Sequence, residues 1–220
     1  MNRLFKYIFS TDWVKTVWMN FHYFPFKTAV RLPIFVSYRT CFHKLAGGVL
    51  IETNVSTGML LLGYRRLGIQ DVCYDRTIWE VDGTIRLRGK RIDLGRGSKI
   101  CVSGDCTFGD RFTITGRSTI ICKKRMMFGI NNLISWDVLI MDTDVHKICD
   151  INGNKINEDE MIEIKDNVWV GCRATILKGS IIPNNTVIAA CAIIKGKMEL
   201  ENCIYTSNRK QLKEGVVWYR

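Results

Sequence analysis

The chain has 220 residues, about half of them hydrophobic, and a formal net charge of +11. That is enough apolar material for one packed domain with extensions, and it excludes a disordered chain. The 32 Lys and Arg are spread from Arg3 to Arg220 without zinc-finger spacing, an RNP-like motif or a basic helix, so the charge fits phosphorylated ligands and gives no reason to expect a nucleic-acid partner.

Residues 1-46 read as a partly helical N-terminal extension. Phe5, Tyr7, Phe9, Trp13, Trp18, Phe21, Tyr23, Phe24 and Phe26 are interleaved with Lys6, Lys15 and Lys27. No apolar run reaches the roughly 18 residues of a membrane span. The stripe predicts a helical segment packed on the domain or on a neighbouring subunit, because aromatic stripes are more often core. A peripheral membrane contact through an interfacial helix is the alternative. Charges scattered through this segment do not match a cleavable signal sequence. Nine cysteines, an odd number with no C-x-x-C pair, read as small hydrophobes. The expected compartment is therefore reducing and cytoplasmic.

From about Gly47 the pattern changes. Ile85, Ile92 and Ile100 begin a loose spacing, with a turn at Gly95 and Gly97. Val102, Phe108, Ile114 and Ile120 then recur at every sixth position. After an irregularity at Lys123-Lys124-Arg125 the step resumes at Phe128, Ile134 and Ile140, lapses, and returns as Ile164, Val170, Ile176, Ile182, Ile188 and Ile194. Small or β-branched residues follow four places after the first five of these, at Val168, Ala174, Ser180, Thr186 and Ala192. A helix of 3.6 residues per turn does not return residue i+6 to the same face. An unbroken strand of this length is far outside the usual range. A chain that bends after every six residues satisfies the pattern, and such coils stack into a solenoid over residues 47-200. Gly104-Asp105, Gly109-Asp110, Asp166-Asn167 and Asn184-Asn185 supply bends. Residues 201-220 read as a C-terminal tail.

The stretch Asp166-Asn167-Val168-Trp169-Val170-Gly171, followed by Ile176-Leu177-Lys178-Gly179, resembles the hexapeptide-repeat acyltransferases, as does Asp142-Thr143-Asp144-Val145-His146-Lys147 upstream. The layout is similar to the sugar O-acetyltransferases of polysaccharide clusters and to the galactoside and maltose acetyltransferases. The resemblance implies an all-β fold, a left-handed parallel β-helix against the usual right-handed rule for crossovers, and a homotrimer with active sites between subunits. It also implies coenzyme contacts at Ser135, Trp169, Cys172, Ala190 and Lys195, beside Gly171 of the motif. Lys178, Lys195, Lys197, Arg209 and Lys210 are the candidates for the coenzyme phosphates. The chain departs from the family at Ile188-Ala189-Ala190-Cys191, where glycines are usual, and at Ser207-Asn208-Arg209-Lys210.

Acetyl transfer to a hydroxyl needs a base for the alcohol proton and a donor for the oxyanion. His146 is the one histidine of the repeat region, and it stands six residues after Ile140, where an aliphatic residue would continue the core. A polar loop, Asp150-Ile151-Asn152-Gly153-Asn154-Lys155, follows it. Imidazole has an ordinary pKa of about 6.5, suited to a general base. Asp142 or Asp144 is expected to hold its tautomer, and the sequence does not choose between them. The expected reaction is O-acetylation of a sugar hydroxyl by acetyl-CoA in surface-polysaccharide synthesis, with no metal. N-acetylation of an amino-sugar nucleotide and a non-catalytic scaffold are the alternatives. A γ-carbonic-anhydrase-like site would need three histidines per chain, and His22 and His43 both lie in the extension.

Overall fold

The computed structural model describes residues 5–71, 73–207 and 211–218. The chain winds into a three-sided column, a left-handed parallel β-helix, in which every turn places one short strand on each of three sheets. Phe112–Gly116, Thr119–Cys122 and Arg125–Phe128 make one turn on the first, second and third faces. Leu133–Trp136, Leu139–Met141 and Ile162–Ile164 make the next, and Trp169–Val170, Thr175–Leu177 and Ile181–Ile182 the one after. Pairing is parallel and in register. Ile114 faces Ile134, Ile134 faces Val170, and Val170 faces Ile188.

The six-residue step is the inward register of this winding. Ile164, Val170, Ile176, Ile182, Ile188 and Ile194 are all buried, with Val168, Ala174, Ser180, Thr186 and Ala192 beside them. Large side chains fill the axis and small ones sit where the chain turns. Each buried isoleucine contributes about 1.5–3 kcal/mol by removal from water. Near the middle, Phe108, Phe112 and Phe128 close the axis as a ring cluster with centroids 4.8–5.3 Å apart.

The corners have their own chemistry. Asn131, Asn167 and Asn185 stack between the third and first faces, each with φ between 55° and 59°. Asparagine tolerates this left-handed region better than most residues. Their amides bond one another up the column, from Asn131 to Asn167 at 2.7 Å and from Asn167 to Asn185 at 2.8 Å. Between the first and second faces, Gly171 lies so close to the next turn that a Cβ would stand 2.6 Å from the Ala190 nitrogen.

The column begins earlier and ends later than the repeat predicts. Ile34–Val36 pairs with Leu60–Leu62, so the first face starts ahead of Gly47. Ile204–Tyr205 pairs with Val187–Ile188, and Gln211–Lys213 folds back antiparallel on it. The early axis is lined by Ile34, Leu60, Leu62, Trp79 and Ile85, but the strands there are joined by links of unequal length, which hides their period. Helix α1 (Trp13–Tyr23) lies against this first strand, and the short α2 (Phe26–Ala29) packs against α1. Asp12 caps α1 by accepting the Lys15 N–H.

Candidate active site

One corner of the column is opened by an insertion. Between the second-face strand Leu139–Met141 and the third-face strand Ile162–Ile164 the chain leaves the column and returns, carrying His146 outward. The partner step from Ile134 to Val170 is consequently twice that from Val170 to Ile188.

The base of the loop is fixed by Asp142. Its buried carboxylate accepts the backbone N–H groups of Lys123, Lys124 and Arg125 at 2.7, 2.9 and 2.8 Å. The repeat irregularity at these three residues is the place where the preceding turn widens to receive that carboxylate. Asp144 comes next, and its Oδ2 takes the Lys178 ammonium at 2.6 Å and the Asn157 amide at 2.9 Å. The Lys178 contact, followed by the Asn157 bond, holds the Asp144 carboxyl below the usual carboxylate range.

A γ-turn follows. The His146 N–H donates to the Asp144 carbonyl at 2.7 Å, which leaves Val145 at φ 65°. That region is a genuine outlier for a β-branched residue and costs on the order of 1–3 kcal/mol. Asn157 offsets the strain from the far side of the loop. It donates to the His146 carbonyl at 2.8 Å and accepts the Ile148 N–H at 2.7 Å, while its own side chain is nearly buried. The imidazole is exposed and lines a cleft of about 250 Å³ with Lys123, Thr143, Val145, Lys147, Lys155, Asn157 and Asp159.

The structure places the sequence-predicted residues in two groups. Asp142, Asp144, His146, Lys178 and Lys195 are at the corner between the second and third faces. Ser135 and Trp169 lie on the first face, and Gly171, Cys172 and Ala190 stack where that face turns into the second. Trp169 points outward between the buried Val168 and Val170, and its indole N–H donates to Ser135 Oγ at 3.0 Å. One face of the column, the second, separates this group from His146.

Two expectations need correction. Lys178 is not free for a coenzyme phosphate: it is 6 % exposed, and its ammonium is occupied by Asp144 and by the Glu158 carbonyl at 3.0 Å. Neither Asp142 nor Asp144 hydrogen-bonds the imidazole: the Asp142 oxygens take three backbone N–H groups, and Asp144 Oδ2 is turned to Lys178 and Asn157. Arg209 and Lys210 lie outside the described residues. Lys195 and Lys197 are exposed.

Sequence reasoning missed Asn157 and Trp218. The first is one of several polar residues in a loop without a period, and nothing in its neighbours marks it as the anchor. Trp218 comes from the tail to lie 6.2 Å from Trp169, with its N–H on the Asn167 carbonyl at 2.7 Å. A larger groove of about 390 Å³ on the third face, between Arg88 and Asn184, takes in none of the predicted residues. Among the described residues no cluster of His, Cys, Asp and Glu is arranged to hold a metal ion.

No protein-family model matches the chain. It is 32 % identical over 110 residues to the polysialic acid O-acetyltransferase of Neisseria meningitidis, a match covering 45 % of this chain and 51 % of that protein. Its identity to the polysialic acid O-acetyltransferase of Escherichia coli O1:K1 / APEC is 28 % over 126 residues, or 57 % of this chain and 39 % of that one. The matched stretch thus spans about half or less of these relatives. Among solved structures, the polySia-specific acetyltransferase NeuO aligns over 85 % of this chain and 79 % of its own with a TM-score of 0.51 and 23 % identity, which is a likeness of fold. In sequence over those stretches, and in fold over most of its length, the chain is similar to the hexapeptide-repeat sugar O-acetyltransferases.

Proposed function

We propose that this protein transfers an acetyl group from acetyl-CoA to a hydroxyl of an acidic polysaccharide, with His146 as general base. The observation that carries the reading is the presentation of His146. A strained γ-turn and a buried asparagine hold one exposed imidazole at the mouth of a cleft, in a chain similar to sugar O-acetyltransferases. Among the left-handed non-glycine positions of the described residues Val145 alone is β-branched, and setting a base is a use for that strain.

In the proposed step the imidazole takes the proton of the acceptor hydroxyl as its oxygen attacks the thioester carbonyl carbon. The tetrahedral intermediate collapses, the C–S bond breaks, and the coenzyme leaves as a thiolate that receives the proton from the imidazolium. The wall formed by Trp169, Ser135 and Trp218 suits the pantetheine arm, an extended chain with amides and an apolar stem. Lys195, exposed at the histidine corner, is a partner for phosphate.

The separation of the two groups supports a homotrimer in which the wall of one copy meets His146 of the next. The second face between them is apolar on its outer side, where Ile121, Leu139, Met141, Leu177 and the exposed Ile193 stand. Such a flat apolar sheet is suited to burial between subunits. An acidic acceptor is supported by Lys123 and Lys147 in the cleft, which form no ion pair among the described residues. The two curated relatives are named for an acidic polymer. Nine free cysteines support a reducing, cytoplasmic setting.

The test is release of free coenzyme thiol from acetyl-CoA with a panel of acceptors: sialic acid polymers, neutral polysaccharides and amino-sugar nucleotides. Release with the acidic polymers alone is expected. Turnover of only the amino-sugar nucleotides would replace this reading with N-acetylation. An absence of coenzyme binding by calorimetry would replace it with a scaffold.

A further inference from the structure

Helix α1 turns two polar residues, Thr16 and Asn20, toward the column together with Met19, and leaves a row of apolar residues exposed. Thr16, Met19 and Asn20 are buried. The Asn20 amide donates to the Ile34 carbonyl at 2.7 Å and its oxygen accepts the Ile34 N–H at 3.0 Å. Thr16 Oγ1 accepts the Val36 N–H at 3.1 Å. These side chains thereby satisfy the open edge of the column's first strand, which would otherwise leave backbone groups unpaired.

The opposite side of the helix exposes an apolar stripe, Trp13, Val14, Val17, Trp18 and Phe21, spaced as one helix face. Phe26 extends it beyond the helix. Val14 is 81 % exposed and Phe26 74 %. A patch of this kind marks a contact surface. From Trp13 through Ile51 the sequence contains no Asp or Glu, whereas Lys15, Lys27, Arg31, Arg39 and Lys44 all lie there. Lys27 and Arg31 are exposed beside the stripe. Lys15 is paired with Asp12 and Lys44 with Asp82, whereas Lys27 and Arg31 form no ion pair among the described residues. Tryptophan and phenylalanine flanked by these two cations match a lipid headgroup boundary of negative charge. At eleven residues the helix is too short to cross a bilayer, and no helix of the described residues is long and apolar enough to do so.

We propose that α1 and segment 25–31 lie in the interfacial layer of an anionic membrane and hold the column there by its N-terminal end. The site is separate from the reaction proposed at His146 and does not depend on it.

The experiment is co-sedimentation of the full chain with vesicles of phosphatidylcholine alone or mixed with phosphatidylglycerol. The wild-type chain should sediment with the mixed vesicles and stay in solution with phosphatidylcholine alone. Val14→Glu with Phe26→Glu should lower the apparent partition coefficient at least about tenfold, and Lys27→Glu with Arg31→Glu should remove the preference for phosphatidylglycerol. All four positions are exposed, so an unchanged melting temperature will show that the fold is intact. Wild-type protein left in the supernatant with both vesicles would overturn the proposal. So would equal binding to both, or a wild-type assembly that the Val14→Glu, Phe26→Glu variant reduces in size, since a second copy would then cover the stripe.

Discussion

Val145 is the residue on which the site is most finely set. Its φ of 65° is unfavourable for a branched side chain and ordinary for glycine. Val145→Gly is expected to raise stability by about 1 kcal/mol and to lower kcat as the His146 ring loses its fixed position; thermal melting and initial rates check both. Lys178 makes a second test. Lys178→Met should leave the KM for acetyl-CoA within about twofold and loosen the loop, seen as faster proteolysis within residues 142–161. A tenfold rise in that KM would return Lys178 to the coenzyme. The pH dependence follows from the same pair. Asp144 titrates below its ordinary 3.8 because Lys178 and Asn157 bind its charged form. Its stabilising contribution is therefore full above the ordinary value and is lost as pH falls through the lowered one. The loop should stay protected from protease at pH 5 to 7 and open only at more acid pH.

The inserted loop works as one element with two fastenings, Asp142 at its base and Asn157 across its middle. Asn157→Ala removes a nearly buried side chain that makes three hydrogen bonds to the loop. A loss of about 1–3 kcal/mol is expected, with a fall in kcat that leaves coenzyme affinity unchanged. A rate equal to wild type would show that the loop is set by something else. His146 is conspicuous in the sequence because it stands six residues after Ile140, in step with the repeat, although the chain has left the column there and the ring is exposed. The sequence does not carry the fastenings. Asp142 and Asp144 are both close to His146 in sequence, yet their oxygens go to backbone N–H groups and to Lys178, and such long-range pairings leave no local spacing to read. The buried side of α1 is hidden for a related reason: the helix packs on the column through Thr16, Met19 and Asn20, and the bonds of Thr16 and Asn20 to the first strand leave no local spacing to read.

The column as a whole is what the repeat specifies best, since each of its evenly spaced isoleucines points to one axis and stacks on its equivalent a turn away. The early turns are obscured, because their strands are joined by links of unequal length, as between Ile51 and Leu60 and between Leu62 and Thr77. Close stacking makes the column sensitive to added bulk. Gly171→Val would drive a branched side chain into the Ala190 backbone, and the melting temperature should fall by several degrees, a loss of about 2–3 kcal/mol. Over this scaffold the proposed chemistry rests on one imidazole. The decisive measurement is the rate of coenzyme release by His146→Ala at saturating acetyl-CoA and acceptor, with coenzyme binding followed by calorimetry. A general base predicts a rate lower by about 10²–10⁴ with coenzyme affinity unchanged. A variant that turns over at the wild-type rate would contradict it.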